Sequence, residues 1–374
     1  MTSAHNNFRL GFFIVHNFHH AMLDSIYEDI KNDVPCLMTN DYKKMVAYQP
    51  NIIVLSEHHN AFFRSVLPET IIVHTTHGLN SKNYANLPWF DFECVSSNWR
   101  RDYHINKERF PRLGFWVTGF SATDTMLQTS TCKDKPAILE HKGPGPTLLY
   151  APTFTPKLTA IEVLGSEWIK TLRQKWPDLN IIIKLHPHTA RVNPAWVEMY
   201  KQAANRIQGT YFLETDANIY DYLKFADILL TDVSSVTSFY LFFNRPIILV
   251  TNPHRFENKV RFEPDGFMWQ WRDMGIEIDK VQDLLPAVER SLQFPNEKEA
   301  KRLLYKERIF GDLLDGKASS RIADKIRALI QPTPEDEEWV QIAWNSIRAL
   351  ARQKKPQPLG HVNIYETAKI VYKM

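Results

Sequence analysis

Only three cysteines, Cys36, Cys94 and Cys132, occur in 374 residues. They are far apart, odd in number and form no C-x-x-C pair, which excludes a disulfide framework and a zinc knuckle. No apolar run reaches the roughly 18 residues that a membrane span needs. Met1 to Arg9 is polar and lacks the apolar segment of a signal peptide, so a reducing, cytoplasmic location is expected. A net charge of +3 and a pI of about 8.5 are too mild to argue for nucleic acid as a partner. Internal repeats and low-complexity tracts are absent too.

What the sequence does have is a long series of short apolar, β-branched runs separated by helix-like segments. In the first half the runs are Leu10–Val15, Val34–Met38, Ile52–Leu55, Ile71–His74, Phe92–Val95 and Phe115–Thr118. Met22, Ile26 and Ile30 mark one face of a helix over Asn17–Ile30. Lys133–Pro146, rich in Lys, Gly and Pro, reads as a linker. A second series follows: Leu148–Tyr150, Ile181–Leu185, Tyr211–Leu213, Ile228–Thr231 and Ile247–Val250, with helices at Glu162–Lys175, Asn193–Arg206 and Ile219–Ala226. Asp216 is the expected cap of the last of these. Alternation of this kind predicts parallel sheets with crossover helices, and 374 residues exceed one ordinary core. The expected organisation is α/β, with two Rossmann-like doubly wound domains facing a cleft. The first spans 1–135 and the second 136–330.

A helical extension over 331–374 completes the chain. Pro332-Thr333-Pro334 ends the preceding helix, and Glu335-Asp336-Glu337-Glu338 opens a new one with acids at its positive end. Trp339, Ala343, Ile347 and Leu350 form a stripe, and Arg348, Arg352, Lys354 and Lys355 crowd the far end. Two readings are open: docking onto the N-terminal domain, or contact with an anionic membrane.

Three polar signatures stand at strand exits, where open α/β sheets bind ligands. They are Thr76-His77-Gly78, Lys184-Leu185-His186-Pro187, and Thr231-Asp232-Val233-Ser234-Ser235. Ser234 and Ser235 open a helix through Phe243, whose free N–H groups suit phosphate; plain capping by Asp232 or Ser234 explains the same residues. Lys184 and His186 can neutralise a diphosphate and protonate its leaving oxygen, or His186 can be a structural histidine in a tight turn. His77 is placed as a proton acceptor on a flexible turn, while His74 belongs to the sheet. Thr153, after Tyr150, and Gly119, after Thr118, are further exits, with ordinary loops as the plain alternative. His16, His19, His20, His58 and His59 cannot be ranked by spacing. His58-His59 does follow a strand, which leaves an acceptor-side role open to it. No spacing requires a metal.

Taken in order, these elements resemble the CDP-glycerol glycerophosphotransferases, the teichoic-acid primases and polymerases of bacterial cell walls. The order is Thr76-His77-Gly78, Val117-Thr118-Gly119 with Asp124, and Tyr150-Ala151-Pro152-Thr153. It continues with Lys184-Leu185-His186-Pro187, Ala226–Asp232 with Ser234-Ser235, Asn244-Arg245-Pro246, and Asp315-Gly316-Lys317-Ala318-Ser319. The resemblance covers about residues 70 to 330. It departs from the family at Leu79-Asn80-Ser81-Lys82 and at Phe267-Met268-Trp269-Gln270-Trp271. It implies a metal-independent GT-B enzyme without a cofactor, taking a CDP-activated glycerol or ribitol as co-substrate and a saccharide or lipid-linked acceptor. His77 would be the base and His186 the group that holds or protonates the leaving phosphate. Lys184, Thr231, Asp232, Ser234, Ser235, Thr153 and Gly119 would line the nucleotide site. Lys317 and Ser319 would add anion contacts.

Two other classes remain open at this stage. A CMP-sugar transferase also uses a His-Pro and a Ser-Ser signature, but is expected to carry an acidic base in its first domain. A non-catalytic nucleotide-binding scaffold would bind CMP without turnover.

Overall fold

The computed structural model describes residues 8–57, 60–79, 89–131, 143–215 and 217–352. His58, His59, Asn80, Ser81, Lys82, Cys132, residues 133–142 of the expected linker, Asp216, Lys354 and Lys355 lie outside the described residues. The chain divides into two compact units: Met1–His77, Tyr84–Gln128 and Phe310–Met374 form one, Gly78–Asn83 and Thr129–Ile309 the other.

The first unit is built on six parallel strands: β1 (Leu10–Phe13), β2 (Cys36–Thr39), β3 (Ile52–Leu55), β4 (Ile71–Thr75), β5 (Phe92–Val95) and β6 (Gly114–Val117). Their order is β2-β1-β3-β4-β5-β6. The chain reverses its winding between β1 and β3, which makes that gap the switch point of this sheet. Strands β1, β3, β4 and β5 are buried throughout, as parallel strands covered on both faces must be. Phe13, Ile53, Leu55 and Ile72 meet Met45, Phe63, Leu67 and Phe90 in one core cluster.

The second unit carries β7 (Thr147–Tyr150), β8 (Asn180–Ile183), β9 (Thr210–Phe212), β10 (Ile228–Thr231), β11 (Ile247–Val250) and β12 (Ile276–Ile278). The order is β12-β11-β10-β7-β8-β9, all parallel, with the switch point between β7 and β10. Alternate residues (Leu148 and Tyr150, Ile181 and Ile183, Ile228 and Leu230, Ile248 and Val250) fill one core cluster, the period of two a strand imposes. Strand β12 escaped the sequence reading because Ile-Glu-Ile is short and its Glu277 is exposed. The expected helix Glu162–Lys175 is two, Ile161–Leu164 and Glu167–Lys175, broken by Gly165 at φ 58°. The described end of the linker is pinned rather than loose. The Asn180 amide donates to the carbonyls of Gly143 (3.1 Å) and Gly145 (3.0 Å), and its oxygen accepts from the Gly143 N–H.

One expected grouping is corrected. Residues 310–330, placed with the second half on sequence order, group with the first unit. The reason is a helix, Ala318–Ile330, that packs on the helix His20–Ile30 and buries Ile322, Ala323, Ile326 and Leu329. Arg327 pairs with Asp29 (2.6 Å) and Asp33 (2.7 Å) across that contact. The helix start is capped by Asp124, whose carboxylate accepts from the Ala318 N–H (3.2 Å) and the Ser319 N–H (2.7 Å). Gly119 adopts φ +89° beside it, and a β-carbon there would stand 3.0 Å from the Ala318 β-carbon.

The C-terminal helix Glu337–Arg352 also belongs to this unit and buries Val340, Ala343 and Ile347. Trp339 meets Phe92 edge-on at 6.0 Å, and the Trp344 indole donates to the Leu329 carbonyl at 3.0 Å. Its apolar stripe is therefore committed to docking.

Removing the Asp124 carboxylate leaves two buried amides without an acceptor. Asp124→Ala is expected to destabilise the fold by about 2–4 kcal/mol, read as a lower urea midpoint. An unchanged midpoint would show that the cap carries no net weight.

Candidate functional site

In the second unit the exits of β7, β8 and β10 converge at the switch point. The Asp232 side chain, fully buried, accepts from the Thr153 N–H through both oxygens (3.0 Å each) and from the Ala160 N–H (2.8 Å). Thr231 donates its hydroxyl to the Ala151 carbonyl at 2.6 Å. The loop after β7 is thus tied to the loop after β10 on both sides of the gap. Arg272 braces the same turn by donating to the Asp232 carbonyl (3.1 Å) and the Thr251 hydroxyl (2.6 Å). Thr231, Asp232 and the Thr153 amide therefore build the site rather than face a ligand.

Lys184 is buried too, with its ammonium donating to the carbonyls of Leu185 and Thr215, each at 2.9 Å. It holds the exit of β8 against the segment after β9. His186 is half-buried, and its Nδ1 accepts from the His188 N–H at 3.1 Å. An N–H can only donate, so Nε2 is the nitrogen that carries hydrogen in the neutral ring. The ring lies 4.4 Å from Phe154, over which Arg261 sits at 5.4 Å. Ser234 and Ser235 precede a helix of only five residues, Val236–Tyr240, continued as a 3₁₀ turn to Phe243 and ended by Asn244 in the left-handed region. Asn244 and Arg245 act structurally: Asn244 bonds Glu299 and Arg302, and Arg245 donates to the carbonyls of Lys224 and Ala226.

In the first unit the exits of β1, β3 and β4 gather at the other switch point. His77 Nδ1 lies 2.5 Å from the Ser56 carbonyl oxygen. A carbonyl only accepts, so Nδ1 holds the hydrogen and Nε2 the lone pair. Donor atoms of His19, Glu57 and His77 all lie within 4.8 Å of one another. His19 Nε2 is 3.7 Å from Glu57 Oε2, and His16 Nε2 is 3.9 Å from it. His19 Nδ1 accepts from the Val15 N–H at 3.2 Å. Its Nε2 thus carries the hydrogen and offers no lone pair to a cation, so this trio is a poor metal cage. Burial, then the nearby His77, pushes His19 down to about 3.

His74 sits within β4, as expected, stacked on Phe90 at 3.9 Å, with Nδ1 2.5 Å from Glu93. Burial lowers His74 to about 3 and raises Glu93 well above the usual carboxylate range.

Three expected site residues fall elsewhere. Gly119, Lys317 and Ser319 lie in the first unit, around the start of the helix Ala318–Ile330. The anion at that helix start is the chain's own Asp124, so it does not present its N–H groups to a phosphate. Gly119 suits that place because its φ of +89° is one that L side chains rarely adopt and a β-carbon would crowd Ala318 and Leu313. The sequence reading missed Glu57, Phe154 and Arg261. Glu57 was findable, since it follows Leu55 at a strand exit in the same way as the signatures that were chosen.

The sequence model of the CDP-Glycerol:Poly(glycerophosphate) glycerophosphotransferase family matches residues 90–328. No curated relative matches the sequence. Among solved structures, the wall teichoic acid polymerase TagF is similar at 12% identity and a TM-score of 0.64, over 87% of this chain and 89% of that one. A TagF variant soaked with CDPG is similar at 13% identity and a TM-score of 0.62, over 87% and 88%. An S. aureus MnaA–UDP co-structure follows at 14% identity and a TM-score of 0.57, over 87% and 97%. At such identities these likenesses establish the fold, that of the two-domain GT-B class expected above.

Because native His19 stays neutral down to about 3 while the unfolded side chain protonates near 6.5, the unfolded state binds the extra proton between those values. Stability is therefore lost as pH falls below 6.5. Relative to His19→Asn, the wild type is expected to lose about 2 kcal/mol more between pH 6.5 and 4.5. The check is a pair of urea titrations at each pH. A gap between the two proteins that stays constant would mean that His19 titrates normally in the fold.

Proposed function

The chain belongs to the CDP-glycerol:poly(glycerophosphate) glycerophosphotransferase family, and on that premise we propose how it moves a polyol phosphate from its CDP-linked donor to an acceptor hydroxyl. The activity is transfer of glycerol phosphate from CDP-glycerol in teichoic acid synthesis, with CMP as the leaving group. The observation that carries this is the family match over residues 90–328, which contains both the Lys184–Pro187 and the Thr231–Ser235 exits. The acceptor proposed is a saccharide or polymer hydroxyl.

Transfer between oxygens demands little covalent chemistry from a protein. It demands positioning and neutral surroundings for the charge on phosphorus. His77 suits the acceptor side: the Ser56 carbonyl fixes its hydrogen on Nδ1, so Nε2 takes the proton from the acceptor hydroxyl. The oxygen then attacks the β-phosphorus, and the bond to CMP breaks. His186 suits the donor side, because the His188 N–H leaves it with an Nε2–H to give to a phosphate oxygen. Ser234 and Ser235 add hydroxyls at the same exits, and Arg261, over Phe154, adds a cation. Among the described residues this set of imidazoles, hydroxyls and a guanidinium stands without a cluster of carboxylates, which supports the proposal of metal-independent transfer. Among the described residues no helix is long and apolar enough to cross a membrane. Any contact with an anionic membrane falls to the exposed Arg348 and Arg352 edge of the last helix, whose apolar face is buried.

The test is CMP release from CDP-glycerol, CDP-ribitol, CMP-sialic acid and CMP-Kdo, with and without EDTA. EDTA-resistant turnover of CDP-glycerol is the expected result; turnover confined to a CMP-sugar would overturn the reading. His77→Ala is expected to lower turnover by about 10²- to 10⁴-fold, to a small residual rate, and leave CMP affinity unchanged, and turnover near that of wild type would remove His77 from the mechanism. Ser234→Ala with Ser235→Ala is expected to weaken CMP binding by about 1–3 kcal/mol, measured by calorimetry. Equal affinity in that variant would take both hydroxyls out of the nucleotide site.

A further inference from the structure

The loop Ser56-Glu57 at the exit of β3 offers His77 two successive groups. The Ser56 carbonyl fixes the tautomer. The next residue, Glu57, puts a carboxylate oxygen within 4.8 Å of a His77 ring nitrogen. Behind Glu57 stands His19, fully buried, with its Nε2 in the same cluster and, among the described residues, without a hydrogen-bond partner. The Val15 N–H forces that nitrogen to be the hydrogen-bearing one. A buried N–H 3.7 Å from a carboxylate oxygen is poised to bind it, directly or through one water. A bare buried donor is costly, and Glu57 is the acceptor the cluster supplies.

Resting on the reading of His77 as base, we propose that Glu57 is a positioning residue for it, held in place by His19. When His77 Nε2 takes the acceptor proton, the ring becomes a cation beside the Glu57 carboxylate. The charge created by the transfer is then met by a fixed opposite charge instead of by reorganising water. The proton stays on His77, and neither Glu57 nor His19 changes protonation in the step. In a Ser-His-Asp arrangement one carboxylate both fixes the tautomer and offsets the charge; here a carbonyl and a carboxylate of consecutive residues divide those tasks.

The experiment is a double-mutant cycle on the full-length chain. It measures CMP release from CDP-glycerol with a glycerol-phosphate oligomer as acceptor, and CMP affinity by calorimetry. Glu57→Gln keeps the shape and removes the charge. It is expected to lower kcat by about 10- to 100-fold, within the range of acid–base assistance, with KM for CDP-glycerol and CMP affinity within twofold. Glu57→Asp is expected to recover part of the loss. Adding Glu57→Gln to His77→Ala is expected to lower the residual rate no further, since a residue acting through another has nothing left to act on. His19→Asn should reproduce a weaker form of the Glu57→Gln defect. A kcat within twofold of wild type in Glu57→Gln, while His77→Ala is inert, overturns the proposal and leaves the base in place. An active His77→Ala with an inert Glu57→Gln overturns both, making Glu57 the base itself. Additive losses in the double variant also overturn it, as two independent contributions.

Discussion

The second unit depends on one buried carboxylate. Asp232 leaves β10 at the switch point and collects the amides of Thr153 and Ala160 across the gap. A charged group with no exposure is tolerable only when its lone pairs are used. The chain meets that demand by wrapping the loop after β7 around it. Arg272, also buried, completes the arrangement from the side of β12, reaching the Asp232 carbonyl, Thr251 and Glu277. The positions of Phe154, Thr155 and the start of the Ser234-Ser235 turn follow from this knot.

A second regularity is the way the backbone assigns each imidazole its role. His19 and His186 accept an N–H at Nδ1, from Val15 and His188, and so become donors at Nε2. His77 gives its Nδ1 hydrogen to the Ser56 carbonyl and becomes an acceptor at Nε2. Three rings of one residue type are thereby sorted into two donors and one acceptor by main-chain groups that side-chain substitution does not remove. The division is the one that the roles proposed for His77 and His186 require. The base has to receive a proton, and the group serving the leaving phosphate has to offer one.

Much of the fold was legible because parallel strands buried on both faces announce themselves. Ile52–Leu55, Phe92–Val95, Ile228–Thr231 and Ile247–Val250 are strands with the bounds that apolar β-branched runs suggest. What was not legible depended on partners distant in sequence. Nothing local in Asp124 says that it will cap a helix beginning at Ala318, so Lys317 and Ser319 looked like anion ligands. Nothing local in Lys184 says that its ammonium will be absorbed by the carbonyls of Leu185 and Thr215. The strand exits do hold the polar signatures that the sequence showed, among them His77, Lys184, His186, Asp232, Ser234 and Ser235. Periodicity could not say which polar residues there build the loop and which face outward, because both kinds occupy the same few positions.

Sorting them changes where donor affinity must originate. A helix of five residues has little macrodipole to offer a diphosphate, so the turn before Val236 cannot work as a long helix start would. Asp232, Thr231 and Lys184 are spent on the scaffold. The groups proposed for the donor at the exits of the second sheet are discrete: the Ser234 and Ser235 hydroxyls, the His186 Nε2–H and the Arg261 guanidinium beside Phe154. On that proposal the set would bind through directed hydrogen bonds and one fixed cation, with a strength that is the sum of few contacts. That is the pattern expected where the leaving group must be recognised by its phosphate oxygens and then released as CMP once the bond to phosphorus has broken.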